Sequence, residues 1–192
     1  QEITVENFTN ANKQAINALK NGADSISFVL NDNTNLLQSE IHKLLNNIAL
    51  EKIKIRFITN FNFDAFFELI ENELKKRNDD FKKVQIEFNY APINYFSITG
   101  DKKYIENKQL LKYSKLIKHI SENLPESKAI GINAYDFANA GSLITQELAY
   151  SLAIASEYLS VFSDCSIDVK TIAKQITFNF AVGSNYFFEI AK

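Results

Sequence analysis

The sequence predicts an α/β fold with a parallel sheet, and two observations support this prediction. Short apolar runs typical of strands alternate with longer amphipathic runs typical of helices along nearly the whole chain. A single helical segment separates each strand-like run from the next, as in βα units. With 192 residues, of which 46% are hydrophobic, the chain can bury the core of one domain spanning residues 1–192.

About five strands are expected, with helices between them. The predicted strands are 25–30, 53–58, 84–90, 128–132 and 176–182. The predicted helices are 5–21, 36–47, 64–76, 107–122 and 141–160, followed by a turn at 162–168, a helical turn at 169–173 and a helix start at 185. Residues 91–104 are expected to be irregular, and a connection of that length often has a functional role.

Two architectures fit these elements, an open doubly wound sheet and a barrel. The chain has five glycines and neither Gly-x-Gly-x-x-Gly after the first strand nor Gly-x-x-x-x-Gly-Lys-Ser/Thr, so the phosphate-binding signatures of nucleotide-binding folds are missing. A barrel requires eight strands, so the chain would form an incomplete barrel or an open sheet. Either one leaves edge strands that another chain or further residues must cover.

Composition argues against several classes of protein. A net charge of -2 and a pI of about 5.8 give no basic surface for nucleic acid or anionic lipid. No apolar run approaches the ~20 residues of a membrane span, and the first residues lack a signal-peptide pattern. A single cysteine, Cys165, excludes an internal disulfide and predicts a cytoplasmic location. Because the sequence has no methionine, we expect the chain to be a piece of a longer protein.

Familiar catalytic and metal-binding motifs are missing from the sequence. His42 and His119 lie on predicted helix surfaces, outside any His-x-x-x-His or Cys-x-x-Cys pattern, so no metal site is expected. No Gly-x-Ser-x-Gly occurs, and no histidine falls near a strand end to act as a general base.

Polar residues follow the predicted strands, at the edge where parallel α/β folds build their pockets. The candidate pocket rim consists of Asn89, Tyr90, Asn133 and Asn185. Further polar residues at this edge are Asn31, Asp32, Thr59, Asn60, Gly183 and Ser184. Their amides could bind a neutral or phosphate-bearing ligand, but the same residue types cap helices and form turns, and for any single residue capping is the favoured interpretation.

The long helix at 141–160 carries two apolar stripes. One has a spacing of three and four residues, which predicts a face packed in the core; it consists of Ile144, Leu148, Leu152, Ala155 and Leu159. The other contains Tyr150 and Tyr158, eight residues apart, and is suited to a partner.

Two motifs resemble the substrate-barrel domain of the methylmalonyl-CoA mutase family. The first is Tyr135-x-x-x-Asn139-Ala140-Gly141 followed by Gln146-Glu147-Leu148-Ala149-Tyr150-Ser151-Leu152-Ala153 and Glu157-Tyr158. The second is the run from Phe178 to Lys192. The resemblance implies a partial TIM-type (β/α) barrel, with about five of its eight parallel strands present and helices flanking them. It also implies an adenosylcobalamin-dependent isomerase that interconverts methylmalonyl-CoA and succinyl-CoA.

The resemblance fails at a catalytic position in residues 135–141, which we call the crest. Catalytic members of the family read Tyr-His-Met-Gln-Glu-Ala-Gly there, whereas this chain reads Tyr135-Asp136-Phe137-Ala138-Asn139-Ala140-Gly141. Asp136 therefore replaces the histidine that contacts the substrate carbonyl, and a carboxylate is anionic at neutral pH. The family's cobalamin-binding motif, Asp-x-His-x-x-Gly, is also absent from the sequence.

These departures are typical of the small, non-catalytic subunit of the heterodimeric enzymes of this family. That interpretation predicts no catalytic residue and no bound cofactor in this segment. It predicts a large catalytic subunit as partner, with adenosylcobalamin in the holoenzyme. Two alternatives stay open: a fragment of a catalytic mutase with an unusual crest, and a free-standing α/β domain that binds a ligand through its amide rim.

Overall fold

The computed structural model describes residues 1–30, 36–59 and 63–192 of the chain. The chain divides into two compact units. The first comprises Gln1–Tyr90 and His119–Ala129, and the second comprises Ala91–Lys118 and Ile130–Lys192. Among the described residues, none of the helices combines the length and the apolar character that a membrane span requires. That residues 1–192 form a single domain stays a prediction.

Strands and helices alternate through the first unit. In chain order it contains β1 (Glu2–Val5), α1 (Phe8–Lys20), β2 (Ser25–Leu30), α2 (Gln38–Leu45), β3 (Lys54–Thr59), α3 (Phe63–Arg77) and β4 (Ile86–Tyr90). Helix α1 begins after Asn7, whose side chain accepts a hydrogen bond from the Asn10 amide and so caps the helix. Gly22, with a φ of 97°, ends it in a conformation that glycine adopts without strain.

The second unit is richer in helix. Its elements are α4 (Pro92–Thr99), a 3-10 helix (Lys102–Ile105), α5 (Asn107–Asn123), β5 (Lys128–Asn133), α6 (Tyr135–Asn139), α7 (Ile144–Asp164), α8 (Val169–Gln175), β6 (Ile176–Asn179) and α9 (Tyr186–Ala191). The last residues of α5 and the first two of β5 belong to the first unit. Pro92 suits the first turn of α4 because its fixed φ is already helical and its missing N–H has no partner there.

The strands pair in parallel within each unit, and in the first unit the order β1, β2, β3, β4 follows the chain. In the first unit Glu2 lies opposite Ser27, Ser25 opposite Lys54, and Ile55 opposite Ile86. In the second, Ile130 lies opposite Ile176. The predicted fold class is therefore confirmed, and a parallel open sheet with flanking helices agrees with a partial (β/α) barrel.

Aromatic side chains fill the core of the first unit. Phe28, Phe57, Phe66 and Phe88 are all 1% exposed or less. The ring of Phe66 meets that of Phe57 edge-on, with centroids 5.0 Å apart, and lies 6.4 Å from that of Phe88. Burying each such ring contributes roughly 1.5–3 kcal/mol, so these contacts fix α3 against β3 and β4.

The described residues form six strands, in agreement with the expected number of about five, and β1 is the strand that the prediction lacks. Only Ile3 and Val5 of its four residues are buried, so the apolar signal is weak. Val5 and Phe8 also have the spacing of a helical face, which favoured a helix from residue 5. In the structure, the Asn7 cap starts α1 at Phe8.

The structure also differs from the prediction farther along the chain. The supposedly irregular residues 91–104 contain α4, which Gly100 ends with a φ of 71°. Helix α7 runs on to Asp164 because Phe162, expected in a turn, is fully buried. Strand β6 stops at Asn179, not 182, because the amide of Ala181 donates to the Glu147 carboxylate instead of to a strand.

Candidate polar site in the second unit

The crest forms a short helix directly after β5. Tyr135 and Asp136 are half-buried, and Asn139 is exposed. The amide of Gly141 donates to the carbonyl of Ala138 at 2.9 Å. Gly141 has a φ of 93°, a conformation that glycine adopts readily, and this turn leads the chain from α6 towards α7.

Three buried asparagines lie together at the carboxyl ends of β5 and β6, and we call them the amide cluster: Asn94, Asn133 and Asn179. They are 1%, 4% and 8% exposed, respectively. Asn94 Nδ2 donates to the Asn133 carbonyl at 2.8 Å, and the Asn133 amide donates to Asn94 Oδ1 at 3.2 Å. Asn179 Nδ2 donates to Asn133 Oδ1 at 2.9 Å. The cluster thus joins α4 to both strand ends by side-chain hydrogen bonds.

Asp136 borders the amide cluster. Asn94 Nδ2 donates to Asp136 Oδ2 at 3.2 Å. Desolvation by burial raises the pKa of the Asp136 carboxyl, and the hydrogen bond from Asn94 offsets part of that rise. Within the described ranges no lysine, arginine or histidine pairs with this carboxylate. The site therefore combines neutral amides with one carboxyl group that lacks a basic partner among those residues.

The predicted rim residues have different surroundings. Asn133 belongs to the amide cluster. Asn185 is exposed and its side chain accepts a hydrogen bond from the Phe188 amide, which is the capping role favoured for such residues. Asn89 and Tyr90 are buried in the first unit, where the ring of Tyr90 stacks on that of Phe63 with centroids 4.7 Å apart. That these four form a pocket rim stays a prediction.

Of the remaining polar residues of the predicted edge, only Thr59, Gly183 and Ser184 are among the described residues. Asn31, Asp32 and Asn60 lie outside the described residues. Thr59 is the last residue of β3. Gly183 and Ser184 are exposed in the loop that follows β6.

Sequence reasoning missed Asn94 and Asn179. Asn94 lies in the stretch expected to be irregular, and Asn179 lies inside an apolar strand pattern. One signal was present for Asn94: it follows Pro92 by two residues, and proline often opens a helix. Asparagine is a weak helix former, so an asparagine in the first turns of a helix calls for a partner for its side chain.

The predicted core stripe of α7 is wrong. Leu152 is 62% exposed, and of the predicted stripe only Ala155 lies on the buried face. The face that is buried consists of Glu147, Ser151, Ile154, Ala155, Tyr158 and Phe162. Two polar residues lie on this face because both have hydrogen-bond partners: Glu147 accepts from the Ala181 amide and Ser151 donates to the Leu148 carbonyl.

The two tyrosines of α7 do not share one environment. Tyr150 is 45% exposed and its ring lies 5.1 Å from that of Phe137. Tyr158 is 1% exposed, and its hydroxyl accepts a hydrogen bond from the Ile93 amide at 3.1 Å. Tyr158 therefore belongs to the core of the second unit, and the prediction that it faces a partner is wrong.

Both histidines form hydrogen bonds with carboxylates of α3. His42 Nδ1 lies 2.7 Å from Glu73 Oε1, and His119 Nε2 lies 2.8 Å from Glu71 Oε1. Across the described ranges, no group of three or more His, Cys, Asp or Glu side chains could hold a metal ion. The chemistry that the candidate site offers is thus hydrogen bonding by amides and one carboxyl group.

A parallel sheet with polar side chains at its strand ends defines the class of protein, an α/β protein of the kind that builds sites at the carboxyl edge of its sheet. The methylmalonyl-CoA mutase family profile matches residues 35–192. This chain belongs to the methylmalonyl-CoA mutase family.

Similar proteins include both kinds of mutase subunit. The chain is 31% identical over 194 residues to the methylmalonyl-CoA mutase small subunit of Porphyromonas gingivalis, a match that covers 100% of this chain and 31% of that protein. It is 38% identical over 77 residues to the large subunit from the same organism, covering 40% of this chain and 11% of that one. A methylmalonyl-CoA mutase of Cereibacter sphaeroides is 36% identical over 77 residues, again 40% and 11%. The chain thus spans about a third of the length of the small subunit it matches.

Proposed function

We propose that this chain is a segment of the small subunit of an adenosylcobalamin-dependent methylmalonyl-CoA mutase. In this proposal it supplies part of an eight-stranded (β/α) barrel and supports a large catalytic subunit in a heterodimer. It takes no direct part in the interconversion of methylmalonyl-CoA and succinyl-CoA. The similarity to a small subunit extends over 100% of this chain, whereas the match to the large subunit of the same organism covers 40% of it. This difference supports the assignment.

The observation that carries the non-catalytic role is the environment of Asp136. In the crest, this residue stands where the resemblance places a histidine that contacts the substrate carbonyl. A carboxylate offers no hydrogen-bond donor to that carbonyl. Asp136 also binds Asn94, a member of a cluster whose amides bind one another. These residues are used to hold the strand ends together, which fits a structural role better than a catalytic one.

Cobalamin does not fit the described residues of this segment. Ligation of its cobalt in the family's manner would need a histidine in the Asp-x-His-x-x-Gly motif, which the sequence lacks. Both histidines that are present bind carboxylates on α3, at 2.7 and 2.8 Å. In this proposal the cofactor belongs to the holoenzyme and is bound by other residues. The cytoplasmic location is part of the same proposal.

The experiment is reconstitution of the full-length protein with its large subunit. We expect the two chains to co-elute on size exclusion, and turnover of methylmalonyl-CoA with adenosylcobalamin to require the large subunit. The control compares one position in both chains. Replacing the large subunit's crest histidine with aspartate should abolish turnover while the complex still forms, whereas Asp136→Ala in this chain should leave turnover in place.

Two outcomes would overturn the proposal. If the full-length protein alone turned over methylmalonyl-CoA, it would be a catalytic mutase with an unusual crest. If it failed to co-elute with the large subunit and remained a folded monomer, the free-standing domain would be the better interpretation.

A further inference from the structure

Three charged side chains meet beside the loop between β6 and α9, and none belongs to the amide cluster. Lys192 Nζ lies 2.7 Å from Glu147 Oε2 and 3.2 Å from Glu189 Oε2. The side chains of Lys192, Glu147 and Glu189 are only 6%, 2% and 14% exposed, respectively. Nζ also donates to the Ala181 carbonyl at 2.6 Å. The ammonium group, which has three hydrogens to donate, therefore has three acceptors.

The same two carboxylates hold the backbone of the loop. Glu147 Oε1 accepts from the Ala181 amide and Glu189 Oε1 accepts from the Gly183 amide, both at 2.9 Å. Each carboxylate thus takes one hydrogen bond from the ammonium group and one from the loop. Three backbone groups of the loop are engaged: the N–H and the C=O of Ala181, and the N–H of Gly183.

Gly183 allows the close approach of Glu189. A Cβ atom at this position would lie 2.9 Å from Glu189 Oε1, so a larger residue would displace that carboxylate. The pKa of Glu189 is lowered by the hydrogen bond from Gly183 and by the one from Lys192. Loop and carboxylate therefore stabilise each other.

We propose that Glu147, Lys192 and Glu189 form a clasp that fixes the loop between β6 and α9 at the carboxyl edge of the sheet. The loop follows Asn179 directly, so the clasp also holds the strand end that supplies one member of the amide cluster. Loops at this edge are where α/β folds bind ligands. The inference concerns loop conformation and does not depend on the proposed function.

Hydrogen exchange of individual loop amides, measured by NMR in the full chain, tests the clasp. Lys192→Met should speed exchange of the Ala181 and Gly183 amides by about tenfold or more, because both carboxylates lose their shared cation. Lys170→Met, on the exposed face of α8, is the matched control and should leave both amides at wild-type rates.

Two single substitutions separate the clasp from a general loss of stability. Glu147→Gln should speed exchange mainly at Ala181, and Glu189→Gln mainly at Gly183, because each carboxylate contacts one of the two amides. The clasp is ruled out if Lys192→Met leaves both amides at wild-type rates. It is also ruled out if each Gln variant speeds exchange equally at both amides and throughout the second unit.

Discussion

The side chain of Asn94 binds both backbone polar groups of Asn133. Its Nδ2 donates to the Asn133 carbonyl at 2.8 Å and its Oδ1 accepts from the Asn133 amide at 3.2 Å. A single side-chain amide thus makes the two hydrogen bonds that a neighbouring strand would otherwise provide at the last residue of β5. Because both residues are buried, no bulk water is available to replace these bonds.

Replacing Asn94 with alanine should therefore destabilise the second unit strongly. The change leaves the buried N–H and C=O of Asn133 without these partners, and we expect a loss of about 2–4 kcal/mol in the free energy of unfolding. Urea unfolding followed by circular dichroism measures it. Asn139→Ala, on the exposed side of the crest, should change stability by less than about 0.5 kcal/mol. Equal losses in the two variants would contradict the role assigned to Asn94.

The titration of Asp136 should lower stability as the pH rises. Burial raises its pKa above the ordinary value of 3.8, so the folded chain binds more protons than the unfolded chain between those two pKa values. The stabilising contribution is present below the unfolded pKa and is lost as the pH rises through the folded one. Asp136→Asn removes this dependence, and its stability relative to wild type should increase from about pH 3 to pH 7.

Urea midpoints across that pH range measure the effect. Asp164→Asn, at an exposed position near the end of α7, provides the control and should follow the wild-type curve. If Asp136→Asn also followed that curve, burial of the Asp136 carboxyl group would have no measurable effect on stability.

Strands β2 and β3 of the first unit can be predicted from the sequence because their signal is local. The predicted bounds of β2 match the observed ones and those of β3 lie within one residue of them, since apolar residues recur at every second position there. The amide cluster has no such signal. Asn94 bonds to a residue 39 positions away, and Asn179 to one 46 positions away. Composition and periodicity do not record which distant partner a buried asparagine finds.

The buried face of α7 could not be predicted from the sequence either. Leucine spacing favoured a stripe through Leu148 and Leu152, whereas the buried face includes Glu147 and Ser151. A buried glutamate is favourable only when partners are supplied, and those partners, Ala181 and Lys192, come from residues more than 30 positions away. Helical periodicity therefore predicts where the helix lies, whereas tertiary hydrogen bonds determine which of its faces is buried.

Glu71 should contribute to resistance against acid. Its burial raises the pKa, but hydrogen bonds from Lys75 and His119 outweigh that effect and hold the pKa below the ordinary value of 4.5. The stabilisation is present above the unfolded pKa and is lost as the pH falls through the folded one. Because Lys75 and His119 are about half exposed, we expect only about 0.5 kcal/mol.

Acid titration of Glu71→Gln against Glu68→Gln measures this contribution. Glu68 is exposed on the same helix, so both variants remove one carboxylate from α3. Only Glu71→Gln should flatten the dependence of the unfolding midpoint on pH between about pH 3 and pH 6. Identical slopes for both variants would show that the bonds to Lys75 and His119 do not survive in solution.

Tyr158→Phe should weaken the attachment of α4 within the second unit. The Tyr158 hydroxyl accepts a hydrogen bond from the Ile93 amide at 3.1 Å, and its ring stacks on that of Phe162 with centroids 5.8 Å apart. Phenylalanine keeps the ring contact and removes the acceptor. The Ile93 amide then loses its partner, and we expect a loss of about 1–2 kcal/mol in the free energy of unfolding.

Tyr150→Phe is the matched control, because it deletes the same atom from the same helix at a position that is 45% exposed. Water replaces the hydrogen bonds of an exposed hydroxyl, so this variant should lie within about 0.5 kcal/mol of wild type. Burial raises the pKa of Tyr158, which keeps its hydroxyl protonated, so the difference between the variants should not change between about pH 6 and pH 9. If the two variants unfolded at the same urea concentration, the hydroxyl of Tyr158 would not be what holds the start of α4.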